Sequence, residues 1–191
     1  MLLSSFYLSS KYLAIQYHHP TYPCHTPELA PDHVDRILAQ WVRERPDLNS
    51  APLGLFGRLF RAAQLSDAAL AETRLQHGLG TGWFDLLAAL RRAGSPYELN
   101  PTELMRATML SSGGMTKRLD RMAEAGLVER RPDPTDRRGT HVTLTRRGKV
   151  VIDKAVETHV ANEERLLHSL TPSERRSLDG LLRKLLVDLE S

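Results

Sequence analysis

Two clusters of cationic and small polar side chains carry the most chemistry in this chain. In the first, Ser111, Ser112, Gly113, Thr116, Lys117 and Arg121 fall within eleven positions, so that two cations are four residues apart beside a run of small residues. Such a run lets a phosphate approach the backbone, while lysine neutralises phosphate charge and the arginine fork can also read guanine. The second cluster is the tip PDPTDRRG, residues 132–139, which sets Arg137 and Arg138 on a proline-stiffened loop suited to a phosphate backbone or a narrow minor groove. Residues 101–150 hold eleven Lys or Arg against six Asp or Glu, although the whole chain has a net charge of only +3. Positive charge is thus concentrated, as a polyanion-binding patch requires.

Other chemistries have less support. His18, His19, Cys24 and His25 lie close together, but their spacing matches no regular zinc site. Cys24 is the sole cysteine, which excludes an intrachain disulfide and fits a reducing compartment, so a cytoplasmic location is expected. Its proline-rich surroundings offer no cation or helix start to activate the thiol. Glycine-rich phosphate loops, HExxH helices and GxSxG elbows are missing, so neither an enzyme nor a bound cofactor or metal is expected. No run approaches the roughly 18 apolar residues needed to span a membrane. The opening MLLSSFYLSSKYLAIQYHHP lacks the leading positive charge and cleavage site of a signal peptide.

The elements that must position these clusters follow from periodicity and punctuation. Four prolines in residues 18–31 prevent regular structure, and Val34, Ile37, Leu38, Trp41 and Val42 then give one helical stripe that Pro46 ends. A second helix is predicted over 53–77, with Gly78 just beyond it. A third is GWFDLLAALRR, capped by Thr81 and burying Phe84, Leu87 and Ala88, with Arg91 and Arg92 favouring its negative end. Asn100-Pro101-Thr102-Glu103 starts a short helix by a capping box. Next, a helix beginning at Ser111 buries Met115, Leu119 and Met122, presents a small first turn, and stops at Gly126. Residues 127–131 and 141–145 alternate as strands of a hairpin. Thr145 caps a long helix, and Thr171 to Glu174 forms a second capping box before a final helix with a seam of Leu178, Leu181, Leu182, Leu185 and Leu189.

Helix, tight turn, helix and basic-tipped hairpin are the order of a winged helix-turn-helix, so the expected fold is mainly α with a small β-hairpin wing. Its partner would be double-stranded DNA. Two alternatives are a winged helix whose basic surface docks an acidic protein, or a redox-sensing regulator using Cys24.

The segment LSSGGMTKRLDRMAEAGLVERRPDPTDRRGTHVTLTRRG resembles the recognition helix, wing and following helix of the MarR family, and flanking helices extend the likeness to roughly residues 50–188. The resemblance implies a homodimeric transcriptional regulator, knit by N- and C-terminal helices, on a pseudopalindromic operator from which a small ligand releases it. The C-terminal leucines agree, being more apolar surface than one winged domain can cover. Four segments are expected: an irregular extension 1–31, N-terminal helices 32–77 for dimerisation and ligand, a DNA-binding domain 78–145, and C-terminal dimerisation helices 146–191.

A narrower resemblance is to the family's urate-responsive branch, which has an added N-terminal helix. It implies a ligand site of Trp41, Asp85, Arg118 and Arg130: Trp41 stacks on a flat anionic effector such as urate, another purine or a polycarboxylate. Arg118 and Arg130 neutralise the effector, and Asp85 senses its charge.

Overall fold

A computed structural model describes residues 30–108, 114–132 and 139–191. The expected N-terminal sites at His18, His19, Cys24 and His25, and the cluster residues Ser111, Ser112, Gly113, Arg137 and Arg138, lie outside the described residues. The chain divides into two compact units, Met1–Gly54 and Leu55–Ser191.

The first unit contains α1 (His33–Glu44). Asp32 starts it by a full capping box with Asp35, each side chain accepting the other's backbone N–H at 2.8 Å. Val34 is buried, whereas Ile37, Trp41 and Val42 are exposed. From Ala51 the chain enters α2 (Ala51–Gln76), which runs on through the second unit.

The rest of the second unit is α3 (Trp83–Arg92), β1 (Glu98–Leu99), α4 (Pro101–Ala107), α5 (Met115–Glu124), β2 (Val128–Pro132), β3 (Thr140–Leu144), α6 (Arg146–Leu166) and α7 (Pro172–Leu189). The strands form one antiparallel sheet in the order β1-β3-β2. Val128 pairs with Leu144 at the root of the hairpin and Pro132 with Thr140 at the start of its tip. β1 has no counterpart in the sequence reading, because two residues cannot display a period; Glu98 and Leu99 pair with Thr143 and Val142.

One core joins α3, α4, α5, the hairpin and α6. Leu86, Leu87 and Leu90 of α3, Leu104 of α4, Leu119 and Met122 of α5, Val142 of β3 and Ile152 of α6 are all within 1% of complete burial. Deeply buried apolar side chains are the main favourable term in folding, at about 25 cal/mol per Å² removed from water. The hairpin is locked to α6 through Thr145, whose hydroxyl donates to the Gly126 carbonyl at 2.8 Å and accepts from Gly148 N at 2.8 Å. Gly148 has to be glycine here, since an added Cβ would lie 1.9 Å from the carbonyl oxygen of Leu127.

Local expectations change at two helix starts. Thr81 does not cap α3: the helix starts after Gly82, at φ 73° and without a side-chain cap, a conformation that only glycine adopts cheaply. The helix expected from Ser111 opens at Met115, because Gly114 at φ 78° breaks helical geometry, so its first turn holds Met115, Thr116 and Lys117 rather than the small residues. Arg91 and Arg92 lie in the last turn of α3, as expected, and their side chains also reach Asp153 and Ala107 on other elements. The leucine seam of α7, expected to exceed what one winged domain can cover, has no buried residue among the described residues, with Leu181 and Leu189 about two-thirds exposed.

Candidate nucleic-acid interface and effector site

α5 buries one stripe and exposes another. Met115, Leu119 and Met122 enter the core while Thr116, Lys117 and Arg121 are exposed. At 100° per residue, Lys117 and Arg121 lie about 40° apart around the helix, so both cations point the same way. Among the described residues no side chain caps the N-terminus of α5, where Gly114 is the N-cap. A convex, cationic helix face with uncapped amides suits an anionic backbone. The hairpin beside it carries Arg130 and Arg131 on β2 and leads to the arginine-bearing tip.

The four residues expected to bind an effector occupy different settings. Trp41, on α1 of the first unit, is 42% exposed. Asp85 is exposed in the first turn of α3, flanked by the buried Phe84 and Leu86. Arg118 donates from Nε to the carbonyl of Thr81 at 3.1 Å, which ties α5 to the segment two residues before α3. Its Nη1 is buried and has no hydrogen-bond partner among the described residues. Arg130 is held elsewhere, by an ion pair with Asp120 on α5. Asp120 lies about 200° around that helix from Arg118, so the two guanidinium groups are anchored on opposite sides of it.

A polar cluster missed by sequence reasoning joins α3 to α6. The Asp153 carboxylate of α6 accepts from Arg91 Nε and Lys149 Nζ, each at 2.7 Å. The two cations also lie over the Tyr97 ring, at 5.2 and 5.8 Å from its centroid. Lys149 first and Arg91 second hold the Asp153 carboxyl below its ordinary range, and Asp153 raises Arg91. The i,i+4 spacing of Lys149 and Asp153 was visible in the sequence; the approach of Arg91, 62 positions away, was not. An open cleft of about 620 Å³ between α3 and α6 is lined in part by Phe84, Arg91 and Asp153, and by none of the four expected effector residues.

Comparison with known proteins agrees with this geometry. A profile of the MarR family matches residues 77–139. The transcriptional regulator PecS of Dickeya dadantii (strain 3937) is 39% identical over 149 residues, covering 78% of this chain and 90% of PecS. A crystal structure of a mutant MarR from E. coli complexed with operator DNA is similar with a TM-score of 0.63 and 29% identity, over 73% of this chain and 99% of that one. The Bordetella bronchiseptica protein BpsR, whose DNA binding is regulated by 6-hydroxynicotinic acid, is similar with a TM-score of 0.62 and 28% identity, over 72% of this chain and 95% of its own.

Proposed function

Because the chain belongs to the MarR family of DNA-binding transcriptional regulators, we propose that it is a homodimeric repressor on a pseudopalindromic operator, released by a small anionic effector. The observation that carries the DNA-binding part is the division of α5: Met115, Leu119 and Met122 inside, Lys117 and Arg121 together outside. Lys117, Thr116 and Arg121 meet the major groove, with Ser111, Ser112 and Gly113 at the approach to the helix. Arg137 and Arg138 grip beside them from the wing. Dimerisation is supported by the exposed Leu178, Leu181, Leu186, Val187 and Leu189 of α7, apolar surface that a second copy would remove from water.

The effector site uses Trp41, Asp85, Arg118 and Arg130. Its support is chemical: the buried Nη1 of Arg118 has no acceptor among the described residues, and leaving such a donor unpaired costs free energy that an anionic oxygen would recover. A flat anion of the urate, purine or polycarboxylate class would draw Arg118 away from Thr81 and compete with Asp120 for Arg130. Both arginines attach to α5 or its neighbours, so their movement changes how that helix is presented. Coupling of about 1–3 kcal/mol would shift operator affinity roughly 5- to 150-fold.

The DNA-binding part is tested by fluorescence anisotropy on duplexes from the DNA flanking the coding region, against random duplex. A specificity ratio and a steep fall with salt are expected; a protein-docking module would show no ratio. The effector part is tested by titrating the operator complex with urate, other purines and trans-aconitate while following Trp41 emission in a W83F background. No release by any of them, with constant emission, would reject the site.

A further inference from the structure

Two adjacent arginines at the end of α3 have different destinations. Arg91 turns to Asp153 on α6, whereas Arg92 reaches α4 and donates from Nη2 to the carbonyl of Ala107 at 2.9 Å. Ala107 is the last residue of α4, and Thr108 after it is already extended, at φ −126° and ψ 161°. Arg92 therefore holds the point at which the chain leaves the first helix of the helix-turn-helix for α5.

That point needs holding. α4 has only seven residues, and the carbonyls of its last turn have no donors within the helix. Its N-terminus is fixed by the Asn100–Glu103 capping box and its middle by the wholly buried Leu104. At the C-terminus, the Thr108 hydroxyl donates to the Leu104 carbonyl at 2.9 Å, and Arg92 supplies the bond that comes from another element. A cation here also complements the negative end of the helix dipole. Without Arg92, α4 keeps its N-terminal and central anchors and becomes free to pivot about Leu104.

We infer that Arg92 is a positioning residue for operator recognition: it fixes the C-terminal end of α4 without contacting DNA itself. This rests on the reading of α5 as the groove-binding helix. A groove-reading helix needs its side chains placed accurately against base edges, while non-specific attraction to phosphates tolerates a looser placement. Losing Arg92 should therefore reduce discrimination more than general affinity.

The test uses the full chain, with operator and random duplexes measured across a salt series for wild type, Arg92→Met and Arg92→Lys. Arg92→Met should lose about tenfold in operator affinity, the low end for a hydrogen bond to a charged group. Its random-duplex affinity and salt slope should stay unchanged. Arg92→Lys, which keeps a cationic donor, should recover most of the loss. In hydrogen exchange on the free protein, the amides of 104–108 should exchange faster in Arg92→Met, with those of α3 and α6 unaffected. An equal loss on both duplexes with a salt slope smaller by about one would show that Arg92 contacts phosphate. That result overturns the inference, as would unchanged operator affinity or faster exchange throughout α3 and α6. A wild type with no operator preference at all would instead reject the reading of α5.

Discussion

Arg118 Nε and the carbonyl oxygen of Thr81 are 3.1 Å apart although 37 positions separate them in sequence, and this bond joins α5 to the entrance of α3. It places Arg118, whose buried Nη1 has no partner among the described residues, between α5 and the first turn of α3, which bears Asp85.

Arg118→Ala should uncouple effector from operator. Arg118 lies at the edge of the face of Lys117 and Arg121 with its Nε bonded to the Thr81 carbonyl, so operator affinity should change less than about threefold, within the spread of context effects on single contacts. The effector concentration for half-release should rise at least about tenfold, as expected when a charged hydrogen bond is removed. Titration of the preformed complex measures both. An unchanged half-release concentration would remove Arg118 from the effector site.

Lys117→Ala and Arg121→Ala should each weaken binding to operator and random duplex alike if they neutralise phosphates, lowering the salt slope by about one. If Arg121 reads a base, its loss costs about 1–3 kcal/mol on operator and relaxes specificity at one base pair. Anisotropy against salt for both duplexes separates the cases, and an effect of neither substitution would sink the proposed interface.

Gly148→Ala should destabilise the fold by more than about 1 kcal/mol, the ordinary range for overpacking being 1–3. The added Cβ meets a backbone carbonyl, that of Leu127, which cannot swing aside as a side chain would. Urea denaturation measures the loss; a wild-type midpoint would mean that α6 shifts freely against the hairpin.

Leu104→Ala should cost about 2–5 kcal/mol, since the side chain is wholly buried between elements that cannot fully collapse onto the gap. A loss below about 1 kcal/mol would contradict the anchoring of α4 by this residue.

The Asp153 brace gives a pH dependence with a defined sign. Lys149 and Arg91 lower the carboxyl's folded pKa, so its contribution is complete above the unfolded value of about 4 and is lost as pH falls through the lower folded value. Wild type should thus exceed Asp153→Asn in stability at neutral pH, with the difference shrinking as pH drops below about 4. Denaturation curves across that range check it, and a difference that grew on acidification would refute the brace.

The caps at Asn100, Thr145 and Thr171, the buried stripe Met115, Leu119 and Met122, and the pairing of the strands at 128–132 and 140–144 were all determined by the sequence alone. Each depends on partners within a few positions, so residue type and spacing suffice to specify it. Other features depended on segments far apart in the chain meeting in three dimensions. These are the two-residue β1 beside β3, the separate destinations of Arg91 and Arg92, the bond from Arg118 to Thr81, and the pairing of Arg130 with Asp120. A long polar side chain has many acceptors within reach, and only the packing of α3, α4, α5 and α6 around one core decides which of them is near.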